Sequence, residues 1–381
     1  MDKNTNNSAI GNTPDGFDPQ FNMSTIGGSS ADDKPEVNPA TLQEEVNKTS
    51  QSEKPQAADS NTGLFLVRTA NQCLSEANKR PIPKKLFGEL WFEGELCILY
   101  ADTNLGKSIC AVQIGDGISR GRKTLGLEIG SKQTVLYLDC ELNDKQFETR
   151  YSQEFKNHYN FSDSFHRAEI DPDASIPESY KGDFERFLVD SIKQALERTK
   201  AEVLIVDNIT YLRSATEKAQ DALPLMKELK ELKSKYKISI LCLAHTPKRD
   251  LSKPITRNDL QGSKMLINFC DSAFAIGESH KDKSVRYIKQ IKARNTEIVY
   301  DSENVIHCEI SKPSNFLQFD LVGFGSESEH LKSHTPGDRS ELISKVKELS
   351  GQGRTQREIA AELNISVGAV NKYLKKEEQN K

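Results

Sequence analysis

The chain of 381 residues is short of several things that narrow its function: one tryptophan, four methionines, and seven cysteines with no C-x-x-C pair. Its seven histidines show no metal-ligand spacing either. A disulfide scaffold or a zinc module is therefore not expected. Cys97, Cys140 and Cys242 lie in apolar runs, so buried free thiols in a reducing cytoplasm are the expectation. No apolar run approaches the ~18 residues of a membrane span. The start, Met1 to Asn7, lacks a basic flank followed by an apolar core, so no secretory leader is read there. A strong excess of charge is also missing: 52 Lys and Arg stand against 56 Asp and Glu, a net −4. The chain as a whole is no polybasic binder, and any nucleic-acid surface must be local.

What is present divides into four parts. Residues 1–62 are polar and poor in large apolar side chains, with ten Asp/Glu against four Lys/Arg in 1–60. Such a segment cannot bury enough surface to offset its ordering entropy, and a disordered acidic tail is expected. Across 63–325, apolar runs alternate with stretches of helical spacing. The strand candidates are Leu96–Tyr100, Thr134–Asp139, Val203–Asp207, Ile238–Ala244 and Ser272–Ile276. Asp144–His158, Tyr180–Arg198 and Asp221–Tyr236 read as helices between them. This alternation predicts an α/β fold with a mostly parallel sheet and helices on both faces. Val285–Ile291 and Glu297–Ile310 alternate at period two and predict an antiparallel extension. Residues 326–338 form a polar linker, and 339–381 read as a small all-α module.

The most informative stretch is Ala101-Asp102-Thr103-Asn104-Leu105-Gly106-Lys107-Ser108. It follows a strand and precedes a helix, the layout of a phosphate-binding loop. The loop N–H groups and the helix N-terminus can surround a polyphosphate. Lys107 would reach the β- and γ-phosphates and the Ser108 hydroxyl would hold Mg²⁺. Ala101 stands where the usual pattern has its first glycine, which alanine can fill if φ stays negative.

Three later strand ends carry matching chemistry. Val203–Asp207 ends in a carboxylate that in phosphate-loop enzymes holds Mg²⁺, although a lone aspartate there also suits a helix cap. Leu136–Asp139 runs into Glu141, the first candidate to polarise an attacking water, with Asp139 as the alternative. Ile240–Ala244 runs into His245, which can hydrogen-bond a γ-phosphate.

In this order the pieces resemble the RecA/DnaB-type P-loop ATPases, notably the RepA-like hexameric helicase group, over roughly residues 80–310. Asp259-Leu260-Gln261-Gly262-Ser263 with Cys270-Asp271, and Lys292-Ala293-Arg294-Asn295, add to the resemblance. It implies a RecA-like core binding ATP and Mg²⁺, with Lys292 and Arg294 reaching across a subunit boundary to a neighbour's γ-phosphate. It further implies a homo-oligomer, a ring of six, acting on single-stranded DNA. His-Thr-Pro-Lys at 245–248 departs from the family, which often has glycine before that lysine.

Residues Thr355 to Leu374 resemble the helix-turn-helix of bacterial regulators. Helices are expected at Arg339–Leu349, Thr355–Leu363 and Ser366–Lys375, with Thr355 and Glu358 as a capping box. Ser366, Val367, Gly368, Ala369, Asn371 and Lys372 would face the groove of duplex DNA. Arg354, Arg357, Lys372, Lys375 and Lys376 would reach its phosphates. Residues 339–381 carry nine Lys/Arg and six Glu. The expected function is an ATP-hydrolysing, DNA-associated oligomeric motor of helicase, replication or mobile-element type. The alternatives are a DNA-binding regulator switched by ATP and a nucleotide-binding interaction protein without turnover.

Overall fold

The computed structural model describes residues 61–62, 65–171, 173–209, 222–247, 249–260, 264–332, 336–363 and 365–375. The expected acidic tail thus lies outside the described residues apart from 61–62, as do 261–263, Lys248 and Lys376. The chain divides between Arg80 and Pro81 into two units. In the first, Asn61–Thr62 pairs antiparallel with Phe65–Leu66. A helix, Ala70–Asn78, starts at a capping box of Thr69 with Gln72.

The second unit is built on a nine-stranded sheet. Its strands are β1 (Leu96–Ala101), β2 (Val135–Asp139), β3 (Phe165–Glu169), β4 (Val203–Asp207), β5 (Ser239–His245), β6 (Ser272–Glu278), β7 (Val285–Lys292), β8 (Val305–Ser311) and β9 (Gln318–Gly325). The spatial order is β9-β8-β7-β6-β1-β5-β4-β2-β3. From β6 through β3 the pairing is parallel, and β7, β8 and β9 add antiparallel strands beyond β6. This is the α/β layout expected of a RecA-like core. β1, β4 and β5 are apolar throughout their interiors because helices cover both faces, so neither side of the strand meets water.

Helix α1 (Lys107–Arg120) buries Ile109, Cys110, Val112, Ile114 and Ile118 against one face of the sheet. Helices α3 (Phe184–Thr199) and α4 (Ala222–Tyr236) cover the other with Ile192, Leu196, Met226, Leu229 and Leu232. Each of the Ile, Val, Leu and Met side chains among these contributes roughly 1.5–3 kcal/mol when fully buried. The helix α5 (Lys264–Phe269) leads into β6. All seven cysteines are free; Cys97, Cys110, Cys242, Cys270 and Cys308 are buried, Cys140 half-buried and Cys73 exposed. Among the described residues no helix is long and apolar enough to cross a membrane.

Two local expectations are corrected here. The helix expected over Asp144–His158 is only α2 (Asp144–Arg150), followed by a hairpin of Ser152–Gln153 with Asn157–His158. Tyr151 is the reason: it leaves the helical path to pack against Phe147, Phe161 and Phe316. Glu154 and Phe155 then turn the chain with φ of 51° and 56°. Strand β8 starts at Val305, not at Glu297. Strands β3 and β9 carry little alternation and were not legible.

The C-terminal part forms three helices, α6 (Pro336–Gly351), α7 (Gln356–Glu362) and α8 (Val367–Lys375). α6 begins three residues before the expected Arg339, since proline at a first helical position forgoes no hydrogen bond. Thr355 and Glu358 make the expected capping box, and Ser366 Oγ accepts from Ala369 N at 3.1 Å. Val346, Ile359, Ala360 and Val370 form a small core of their own.

Candidate active site

The phosphate-loop sequence leaves the carboxyl end of β1 and closes at the start of α1. Ala101 is the last residue of β1 and is not among the positive-φ residues, so alanine replaces glycine there without strain. The tight turn is made further on, by Asn104 at φ 63° and Gly106 at φ 91°. Asp102 Oδ1 accepts from Thr103 N at 2.7 Å. Leu105 anchors the loop in the core. Gly106 is required twice. A side chain would be strained at its φ, and its Cβ would meet Ile310 Cδ1 at 2.7 Å and Phe319 Cε2 at 2.9 Å. Lys107 is buried, and its ammonium donates to the carbonyls of Ala101 (3.1 Å) and Asp102 (2.9 Å). Burial lowers its pKa, opposed by the charges of Glu141, Asp207 and Asp102.

Register brings the other candidates to the same edge of the sheet. His245 pairs with Ala101, and Asp207 pairs with Asp139. Asp207 is 1% exposed. Burial raises its pKa to about 6, with the Ser108 and Tyr137 hydroxyls favouring the charged form. Tyr137 donates to Asp207 Oδ2 at 2.6 Å, while Oδ1 is buried with no hydrogen-bond partner. A native fold seldom leaves a carboxylate oxygen in that state. An orphaned carboxylate oxygen near a serine hydroxyl is an all-oxygen donor set, the kind a hard cation such as Mg²⁺ takes.

Glu141 meets Asn208, whose Nδ2 donates to Glu141 Oε1 and lies 3.0 Å from His245 Nε2. His245 Nε2 is 3.5 Å from the same Glu141 oxygen. His245, with Asn208 and Lys107, outweighs the effect of burial and holds the Glu141 carboxyl below its ordinary pKa. His245 Nδ1 and Thr246 Oγ1 are further buried atoms without partners. Asp139, the alternative to Glu141, has both oxygens engaged: Oδ1 by the N–H groups of Glu141 and Leu142, Oδ2 by Arg167. Three of its roughly four acceptor sites are so occupied and its side chain is fully buried, whereas the Glu141 side chain is 38% exposed and open to a water.

Lys292 and Arg294 are not brought to this group. Lys292 Nζ donates to the carbonyls of Ile267 (2.5 Å) and Cys270 (2.7 Å), where α5 ends. Arg294 Nη1 is 3.0 Å from Asp271 Oδ1. Asp271 also accepts from Leu96 N, at the opposite end of β1. Five residue steps lead from that end to Ala101, about 17 Å. Within one chain the two basic groups and the loop lie at opposite edges.

Residues 68–250 match the family model described as an AAA domain. That stretch of the core is similar to an AAA domain. None of the curated proteins matches the chain. Among solved structures it is similar to the KaiC-like protein PH0186 from the hyperthermophilic archaeon Pyrococcus horikoshii OT3. That alignment covers 60% of this chain and 90% of that one at 12% identity, with a TM-score of 0.41. Asn208 and Tyr137 are residues of this group to which motif reading gave no role. Both are adjacent to or two before a strand-end carboxylate, but only the sheet register shows that they touch Glu141 and Asp207.

Proposed function

We propose that the chain is a cytoplasmic, ATP-hydrolysing, DNA-associated motor that works as an oligomer, a ring of six, of the RepA-like helicase type. The observation that carries the hydrolytic part is the meeting of Lys107, Glu141, Asn208, Asp207 and His245 at the carboxyl ends of four neighbouring strands. Asp102 to Ser108 bind the triphosphate, their N–H groups facing its oxygens. Ser108 and Asp207 would hold Mg²⁺, which supplies charge neutralisation on the phosphates. Glu141 accepts the proton of the attacking water. Asn208 and His245 orient its carboxylate, and His245 registers the γ-phosphate. Lys107 offsets the negative charge that develops on the transferred group.

The oligomeric part rests on Lys292 and Arg294. Their distance from their own loop suits a role at a neighbour's γ-phosphate, where an arginine is worth roughly 10³–10⁵ in rate. Single-stranded DNA would be engaged by the assembled ATPase domains and duplex DNA by Gln356–Glu362 and Val367–Lys375. That second contact also supports the regulator reading, in which ATP switches assembly without unwinding. Mixing Arg294→Ala subunits with Glu141→Gln subunits tests shared sites, because some mixed interfaces regain both groups. Recovery of hydrolysis is expected, and no recovery at any ratio overturns the shared site. Unwinding of a tailed duplex by the wild-type protein separates motor from regulator.

A further inference from the structure

We infer that Arg167 and Asp139 are positioning residues that set the place of Glu141, an inference that rests on Glu141 being the base. Arg167 lies in the middle of β3, outside the phosphate loop and every motif that follows it. Its side chain is only 15% exposed; apart from a bond from Nη2 to Glu169 Oε2 at 3.1 Å on its own strand, its donors go to the segment that carries Glu141. Nε donates to Asp139 Oδ2 at 2.9 Å, Nη2 to the Leu142 carbonyl at 2.6 Å, and Nη1 to Asp144 Oδ1 at 2.7 Å. The guanidinium lies 4.8 Å from the ring centroid of Phe147, on α2 just beyond that segment.

Asp139 completes the clamp from inside. Its Oδ1 accepts from Glu141 N at 3.2 Å and from Leu142 N at 2.9 Å. Cys140 N donates to the Asp207 carbonyl at 2.8 Å. The peptides before, at and after Glu141 are therefore each tied to a buried group, one of them on the strand that ends in Asp207. At the far end of the side chain, Asn208 and His245 hold the carboxylate. A general base acts only within about 2.6–3.2 Å of the proton it takes, and a displacement of about 1 Å costs on the order of 10²-fold. A link that only joined β3 to β2 would need Arg167 and Asp139 alone. The bonds to Leu142 and Asp144 have no part in strand pairing.

The test is a kinetic cycle in the full-length protein. Arg167→Ala should lower kcat for ATP about 10²-fold while leaving the Kd of a fluorescent ADP analogue within about twofold, and Arg167→Lys should recover part of the rate. In a Glu141→Gln background, Arg167→Ala should cost nothing further, because there is no base left to position. If Arg167→Ala does not fold, Asp139→Asn carries the same comparison, with the shape kept and the charge removed. An unchanged kcat, a loss confined to nucleotide binding, or a loss that adds to that of Glu141→Gln overturns the positioning role. Wild-type hydrolysis by Glu141→Gln alone would instead overturn the base assignment, whatever Arg167 does.

Discussion

The two ends of the parallel sheet both gather charged groups, and they treat them oppositely. At the amino end, Asp271 accepts from Leu96 N, Lys233 and Arg294. Glu95 is satisfied by Ser272, Phe92 N and Asn295. Burial pushes Asp271 up, but its partners outweigh burial and leave it below its ordinary pKa. At the carboxyl end, Asp207 Oδ1, His245 Nδ1 and Thr246 Oγ1 are buried and unpartnered, and Asp207 is pushed up to about 6. One end has used its polar capacity on the fold, while the other keeps it for a ligand. Burial pushes Glu95 up as well, so it is the unpartnered buried atoms, more than a shifted pKa, that set the carboxyl end apart.

The sharpest way to break the comparison is at the carboxyl end. Lys107→Ala should remove hydrolysis by at least ~10³-fold without unfolding the domain, as read by phosphate release and thermal melting together. Glu141→Gln should cost roughly 10²–10⁴-fold in turnover and still bind nucleotide, as read by a fluorescent analogue. A variant that lost binding and turnover equally would place Glu141 in binding instead.

Asp207 gives a pH test. The folded chain binds its proton more tightly than the unfolded chain, with a pKa of about 6 against 3.8. Its contribution to stability is full below about pH 4 and is lost as pH rises through about 6, a change of about 3 kcal/mol. Urea denaturation across that window should show wild type losing stability relative to Asp207→Asn. Parallel curves would mean that the aspartate is charged throughout. At the amino end, Asp271→Asn should cost about 2 kcal/mol by unpairing Lys233 and Arg294, with the cost read in stability. The smallest effect is expected for Arg294→Ala on the stability of the monomer, under ~1 kcal/mol, because Arg294 is half exposed.

The parallel sheet was legible because β1, β4 and β5 are unbroken apolar runs ending in polar residues, a pattern that local sequence states outright. The loop and its partners were legible for the same reason: each sits where such a run stops. Strand β3 was not, since Phe-His-Arg-Ala-Glu has neither apolar continuity nor strict alternation and is a strand only because β2 offers it an edge. Its Arg167 was hidden with it. Asn208 stood next to a recognised carboxylate, yet its contact with Glu141 spans 67 positions and depends on β2 and β4 being neighbours. The break after Arg150 was invisible because helical spacing continues through Tyr151, whose aromatic partners Phe161 and Phe316 are distant in the chain.

Gly106 sits directly under Ile310 and Phe319, and Phe319 is in turn held by Gln113 of α1, whose side chain exchanges two hydrogen bonds with its backbone across 206 residues of sequence. The loop is thus braced from the antiparallel strands as well as from within the motif, where Leu105 and Lys107 hold it. A smaller residue at 319 should make the loop more compliant without altering any residue of the loop itself. The last strands of the sheet are, in this sense, a tensioning element, through which substitutions far along the chain can tune how readily the loop yields to what it holds.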